Sequence, residues 1–292
     1  MSYLVFDIGG TSVKYAVYHK NELLNQDAFL TPSTWTEMKE ALKSVLLKFS
    51  QDYEFEGVAI SAPGSTNIEK GVIEGVSAID YLHHFPIREE LEGLFNLPVS
   101  LENDANCAAL AELWQGVAQG EENILFVVIG TGIGGAVIID GKLQRGSHLF
   151  GGEFGLMLLE PNVSFSLNAT PVHMAEKYCK RKGLASDAVS GEEVFALAQT
   201  DEIALEEVTR FYDYLAQGLF NLQFITDPNM IVLGGGVSQY EPLIPELQKR
   251  LDKRMKTANI TDFTFNIKAC HFKNNANLLG AVYSFMQQHN IE

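Results

Sequence analysis

The sequence predicts a mixed α/β protein built as two lobes, and three observations carry that prediction. A strand–glycine–strand unit occurs twice, strand-like and helix-like segments alternate, and 292 residues exceed what a single small core requires. The first unit is Asp7-Ile8-Gly9-Gly10-Thr11, framed by Tyr3-Leu4-Val5-Phe6 and Lys14-Tyr15-Ala16-Val17-Tyr18. The second is Gly130-Thr131-Gly132-Ile133-Gly134-Gly135, framed by Ile124–Ile129 and Ala136–Ile139. Each closes on a short polar turn, His19-Lys20-Asn21-Glu22 or Asp140-Gly141-Lys142, followed by leucine.

After the opening strands, apolar residues at Met38, Leu42, Val45, Leu46 and Phe49 predict a helix over 36–49. Gly57-Val58-Ala59-Ile60-Ser61 reads as a buried strand ending at Ala62-Pro63-Gly64. A turn-rich stretch with Gly71-Val72-Ile73 leads to a helix over 87–94 and a strand over 97–101. Glu102-Asn103-Asp104 follows at once, ahead of a helical run over 105–114. Beyond the second glycine unit, 145–170 reads as loop. Helices are then expected over 171–182, 191–199 and 202–225, and a strand over 227–233 ends in Gly234-Gly235-Gly236-Val237-Ser238. A helix over 243–256, a strand over 264–269 and a helix over 278–288 finish the chain. A boundary near 116–120 divides an N-terminal lobe, 1–117, from a C-terminal lobe, 118–292. The last helix, about 278–290, is expected to pack back on the first lobe.

Gly130-x-Gly132-x-x-Gly135 also matches a dinucleotide fingerprint. That reading needs a helix directly after the glycines, because pyrophosphate sits on the helix N-terminus. Here Ala136-Val137-Ile138-Ile139-Asp140-Gly141 follows, a β-branched run into a turn, so the glycines belong to a hairpin. Such a hairpin still cradles phosphates when its turn presents successive backbone N–H groups and no Cβ blocks the approach. One such loop alone reads as a tight turn; a pair flanked by Asp7 reads as a polyphosphate clamp. Thr11 and Thr131 add hydroxyl donors, and Asp7 is placed to hold Mg²⁺ through water. Gly234, Gly235 and Gly236 allow a base or ribose close to the backbone, or simply turn the strand. Asn103 and Asp104 read either as a helix cap or as site residues.

Composition narrows the partners. Lys and Arg number 21 against 37 Asp and Glu, a net charge of −16, so a nucleic-acid backbone would be repelled. No apolar run approaches the ~18 residues of a membrane span, and the start lacks a basic leader segment. A cytoplasmic protein is expected. Cys107, Cys179 and Cys270 are far apart, which indicates neither a disulfide framework nor a zinc knuckle.

With Ala62-Pro63-Gly64, Glu102-Asn103-Asp104-Ala105-Asn106, Ile129–Gly135, Gly152-Glu153-Phe154-Gly155 and Val232–Ser238 in this order, the chain resembles the ROK family of sugar kinases and repressors. The resemblance covers nearly the whole chain. It implies two ribonuclease-H-like lobes of the actin-like ATPase superfamily, with ATP and a hexose in a central cleft and a homodimeric assembly. It implies Asp104 as the base that deprotonates the sugar 6-hydroxyl, and Gly64, Asn103 and Glu153 as hydrogen-bonding partners of the other hydroxyls. The nucleotide falls to Val5, Phe6, Asp7, Ile8, Gly9, Gly10 and Thr11, to Gly130, Thr131 and Gly132, and to Gly234, Gly235 and Gly236. These roles suit phosphoryl transfer, which needs a positioned hydroxyl, a proton acceptor and groups that neutralise developing charge.

The chain departs from the family pattern in two places. Many relatives carry histidine after Glu-x-Gly and then a cysteine-rich stretch, which together bind structural zinc. Here Leu156 follows Gly155 and no cysteine occurs up to Met174, so no zinc site is expected, and His148 and His173 read as ordinary histidines. In relatives that histidine also contacts the sugar near its anomeric carbon. Leu156 offers an apolar wall instead, which disfavours a free 1-hydroxyl and tolerates a glycosidic substituent. The expected substrate is therefore a β-glucoside or cellobiose-type sugar, as in the zinc-less β-glucoside kinases. Glucokinase, N-acetylmannosamine kinase and fructokinase activities stay open at this point, as does a non-catalytic sugar sensor or regulator. Asn274-Asn275-Ala276-Asn277 stands where relatives carry an acidic residue and a glycine.

Overall fold

The computed structural model describes residues 1–272 and 275–291. The chain divides into two compact units, Met1–Gln119 with Gly146–Phe150 and the C-terminal stretch from Phe272, and Gly120–Arg145 with Gly151–His271. Asn274, in the last departure noted above, lies outside the described residues.

The first unit opens with β1 (Ser2–Ile8), β2 (Ser12–His19) and β3 (Glu22–Leu30), followed by α1 (Trp35–Phe49) and β4 (Gly57–Ala62). A small hairpin, β5 (Ser65–Asn67) and β6 (Val72–Glu74), leads to α2 (Ile87–Phe95), β7 (Val99–Asn103) and α3 (Asp104–Gln115). The second unit contains β8 (Ile124–Ile129), β9 (Ile133–Ile139), β10 (Lys142–Leu143), β11 (Leu158–Glu160), β12 (Val163–Ser164) and α4 (Phe165–Asn168). It continues with α5 (Pro171–Lys182), α6 (Gly191–Leu197), α7 (Glu202–Thr226), β13 (Met230–Gly234), α8 (Leu243–Thr257) and β14 (Ile267–Ala269). The chain then returns to the first unit as α9 (Ala276–Gln288).

The repeat seen in the glycine units extends to whole sheets. The first sheet runs β3-β2-β1-β4-β7 and the second β10-β9-β8-β13-β14. In both, a meander of antiparallel strands is joined to parallel neighbours of its first strand. Gly130–Gly135 runs from β8 into β9, so the hairpin reading of that segment holds and the dinucleotide reading falls.

Several elements differ from their sequence expectation, each for a local reason. Strand β3 has mostly exposed residues at the sheet edge, so it lacks the apolar alternation that marks a strand. The segment read as loop holds the short β11–β12 hairpin and the one-turn helix α4, elements too brief to show periodicity. The strand before the Asn103 motif is shifted by two residues to Val99–Asn103, which puts Asn103 on its last position.

Two aliphatic and aromatic cores follow. One contains Leu4, Phe6, Ile60, Leu42 and Leu101 of the first unit; the other contains Leu125, Phe165, Phe211, Leu215 and Leu233 of the second. On the first sheet, α3 and α9 cross closely: a Cβ on Gly280 would stand 1.7 Å from the Cys107 carbonyl oxygen. At Gly57, a Cβ would enter the Phe285 ring at 2.2 Å. These contacts lock α9 to α3 and β4, and Trp114 stacks on Tyr283 at 5.2 Å along the same seam. Gly280→Ala should therefore destabilise the first unit by about 1–3 kcal/mol, the cost of overpacking a filled core. Chemical denaturation monitored by circular dichroism should show the midpoint falling.

Candidate active site

The sheet register of the first unit builds the site. Asp7 on β1 lies beside Ser61 on β4, and Ser61 lies beside Glu102 on β7. Three parallel strands thus end abreast, and the segments that leave them start from one line, the position where open α/β sheets bind ligands. Asp7 is 7% exposed; its Oδ1 accepts from Ser61 Oγ at 2.8 Å and from Asn277 Nδ2 at 3.0 Å. Its Oδ2 lies 3.9 Å from Lys14 Nζ. One carboxylate oxygen is therefore committed to positioning while the other keeps lone pairs for a hydrated cation. That donor set fits Mg²⁺, which retains most of its waters and takes one or two carboxylates.

Asn103 does two jobs at once. Its Oδ1 accepts from the Asn106 N–H at 3.1 Å, capping α3, and its Nδ2 donates to the Gly64 carbonyl at 3.0 Å. The cap and the site readings are therefore compatible. Glu102, fully buried behind it, accepts from the Asn103 N–H and from Asn106 Nδ2, both at 2.9 Å. Sequence reasoning gave Glu102 no role of its own, although its place in the motif beside Asn103 was the available signal. Gly64 has φ +99°, and a Cβ there would meet His83 Cε1 and Ile73 Cγ2 at 2.8 Å. Only glycine suits that position. His83, also missed, pairs its Nε2 with Ser77 Oγ at 2.8 Å and leaves a buried Nδ1 without a partner among the described residues.

Asp104 is the first residue of α3, partly buried, with Oδ1 accepting from the Ala105 N–H at 2.8 Å. Burial pushes its carboxyl above the ordinary aspartate range, and the Asp7 carboxylate adds to that rise. The Ala105 amide and Asn103 oppose it without cancelling it. The result is a carboxylate more basic than a solvated aspartate, anchored through one oxygen.

Val5, Phe6 and Ile8, expected as nucleotide contacts, lie along β1. All three are at most 1% exposed, in a strand paired on both edges, so they serve as the support that carries Asp7. The first glycine loop itself is open: Gly10 and Thr11 are exposed, while the Gly9 N–H is spent on the Ser12 carbonyl.

In the second unit, Gly130, Thr131 and Gly132 are exposed at the β8–β9 turn, with the Gly130 N–H donating to Gly132 O. Ser166 Oγ of α4 accepts from the Ile133 N–H at 2.9 Å and ties that turn in place. Glu153 is exposed at the start of the 3₁₀ turn Phe154–Leu156, and Leu156 is 65% exposed. The three glycines after β13 separate in role. A Cβ on Gly234 would strike the Phe126 ring at 2.6 Å and one on Gly235 the Ile129 carbonyl at 2.1 Å, so both answer to packing. Gly236 has nothing within 4 Å. It opens onto a cavity of about 410 Å³ shared with Pro171, Glu192, Phe195, Val237, Gln239 and Tyr240. Phe195 and Tyr240 stack there at 4.7 Å, a flat apolar wall that periodicity did not reveal. Among the described residues no group of three His, Cys, Asp or Glu stands together as a metal site, and no helix is long and apolar enough to cross a membrane.

The Asp104 environment has a stability consequence. Because its native pKa is raised, the stability linked to this group is present below the ordinary aspartate range and is lost as pH rises through the raised value. At neutral pH the ionised carboxylate is thus a local cost. Asp104→Asn should melt no lower than wild type at pH 7, and its advantage should shrink as pH falls into the aspartate range. Calorimetric scans across pH test this.

Comparison with known proteins gives a consistent picture. The sequence profile of the ROK family matches residues 3–288. The chain is 36% identical over 300 residues to a beta-glucoside kinase of Listeria monocytogenes, covering 99% of each chain. A ROK family protein from Streptococcus pneumoniae, solved in complex with sucrose, superposes with a TM-score of 0.91 at 35% identity, covering 99% of both chains. A ROK family glucokinase from Streptomyces griseus, solved with glucose and AMPPNP, matches with a TM-score of 0.75 at 25% identity, covering 96% of this chain and 98% of that one.

Proposed function

The chain belongs to the ROK family, and from that premise we propose that it transfers the γ-phosphoryl group of ATP to the 6-hydroxyl of the glucosyl unit of a β-glucoside. It is an ATP-dependent carbohydrate kinase. The observation that carries the chemistry is Asp104: a carboxylate of raised basicity, held by one oxygen at the helix start beside Asn103 and Gly64.

In this reading Asp104 accepts the proton of the 6-hydroxyl as that oxygen attacks phosphorus. Its raised pKa brings it closer to the working pH and makes it a better proton acceptor than a solvated aspartate. Asn103, Gly64 and Glu153 hold the remaining hydroxyls, and the Asn103 side chain is already oriented by Asn106 and Gly64. Glu102 keeps the strand-to-helix corner rigid, which maintains the acceptor geometry on which rate depends. Phosphate oxygens are received by the Gly10 and Thr11 stretch and by Thr131 and Gly132. The adenine base lies in the cavity at Gly236, against the stacked Phe195 and Tyr240. Asp7 would hold Mg²⁺, and the ion would supply charge neutralisation on the phosphates. A cytoplasmic location completes this reading.

The β-glucoside assignment rests on Leu156, exposed and apolar beyond Glu153, and on the resemblance to beta-glucoside kinases. A free anomeric hydroxyl has no partner on leucine, whereas a glycosidic carbon substituent has no need of one. A coupled ADP-release assay over glucose, methyl β-glucoside and cellobiose tests the assignment: both glycosides should exceed glucose in kcat/KM. A clear preference for free glucose refutes it. Leu156→His should raise kcat/KM for glucose relative to cellobiose by about tenfold, the value of one gained hydrogen bond. Asp104→Asn should lower kcat by about 10²–10⁴-fold with cellobiose binding preserved in calorimetry. In wild type, kcat should fall on acidification through the raised Asp104 pKa, above the ordinary aspartate range.

A further inference from the structure

The second unit contains a cavity that none of the roles above uses. It is about 700 Å³ and is bounded by the β11–β12 hairpin, α4, α5 and α7. Asn168, at the end of α4, lines it and is 6% exposed, yet its Nδ2 has no hydrogen-bond partner among the described residues. The Asn168 orientation is set, because Oδ1 accepts from Lys177 Nζ at 3.3 Å and the same ammonium donates to Leu167 O at 2.8 Å. A buried amide donor left open is costly unless something satisfies it.

The chemistry of the walls selects the class of occupant. Lys177 and Arg210 line the cavity together with Glu160 and Glu176, two cations and two carboxylates, and the His173 ring lies 3.9 Å from Glu176. A phosphate or other compact anion gains little from so balanced a field. A neutral polyol, which donates and accepts at every hydroxyl, can use both signs. Val163, Leu167 and the Tyr214 ring add apolar surface of the kind that covers the C–H face of a pyranose. The Tyr214 hydroxyl is fixed on Glu160, so that wall is preorganised.

The location is also suitable. Helix α4 is a single turn of four residues, about 6 Å long at 1.5 Å per residue. Its first residue, Phe165, donates its N–H to Met157 O, next to Leu156, and sits in the notch of α7 at Gly218. Ser166 holds the glycine turn, and Leu167 and Asn168 reach the cavity. One helical turn thus connects the segment carrying Glu153 and Leu156 to the cavity.

We propose that this cavity is the subsite for the second sugar ring of a disaccharide glycoside, with Asn168, Lys177 and Glu176 as its hydrogen-bonding groups. The proposal rests on the β-glucoside reading above and names the aglycone that reading leaves open. Steady-state kinetics of wild type, Lys177→Met and Glu176→Gln with cellobiose, methyl β-glucoside and glucose tests it. Glu176 is about half exposed, so its variant keeps the fold. Both variants should lose about tenfold or more in kcat/KM for cellobiose, about 1.4 kcal/mol. Methyl β-glucoside, glucose and the KM for ATP should change less than twofold. Equal losses on cellobiose and methyl β-glucoside, or no loss on either, overturn the subsite while leaving the kinase assignment intact. Failure of wild type to phosphorylate cellobiose at all overturns the subsite together with the β-glucoside reading.

Discussion

The register of three parallel strands governs the first unit. Asp7, Ser61 and Glu102 lie side by side on β1, β4 and β7, so every segment leaving those strands begins from a common line. A slip of one residue would turn each of these side chains to the opposite face of the sheet. The register is secured from both faces by apolar packing. On one side α9 and α3 meet at Gly280 with no room for a side chain, which also fixes where α3 begins. The position of Asp104 is therefore a consequence of core packing with a helix far away in sequence.

Glycine has two distinct uses in this protein. Some glycines exist because their own chain needs the space: Gly235 under the Ile129 carbonyl and Gly218 under the Phe165 ring tolerate no Cβ. Others, such as Gly130 and Gly236, face open space and leave a backbone accessible to a ligand. The two kinds adjoin in Gly234-Gly235-Gly236, where two packing glycines deliver the third to the edge of a cavity. A glycine-rich motif is thus partly close packing and partly open backbone.

The acidic groups are organised so that their mutual repulsion is useful. Asp7 is held by Ser61 and Asn277, Glu102 by Asn103 and Asn106, and both are tied to fixed donors. Asp104 takes the rise in basicity that burial and the Asp7 charge impose, against the opposing Ala105 amide and Asn103. Burial that would be a defect in a structural carboxylate suits a proton acceptor. The Asn277 amide adds a donor to Asp7 from the start of α9, so the last helix of the chain also helps to hold that carboxylate.

Some of this was legible in the residues alone. The hairpin after Gly130 followed from β-branched residues where a helix would have been needed, and the family followed from short motifs in order, because local chemistry constrains neighbours in the chain. Long helices such as α7 showed themselves through periodicity. Helix α4 and strand β3 did not, since a single turn has no period and an exposed edge strand has no alternation. The role of Glu102, the open amide of Asn168 and the Phe195–Tyr240 wall were equally hidden. Sequence determined which chemical groups this protein owns and which short segments present them. Tertiary structure alone decided which groups meet, because burial, hydrogen-bond satisfaction and steric exclusion act between residues that the chain keeps far apart.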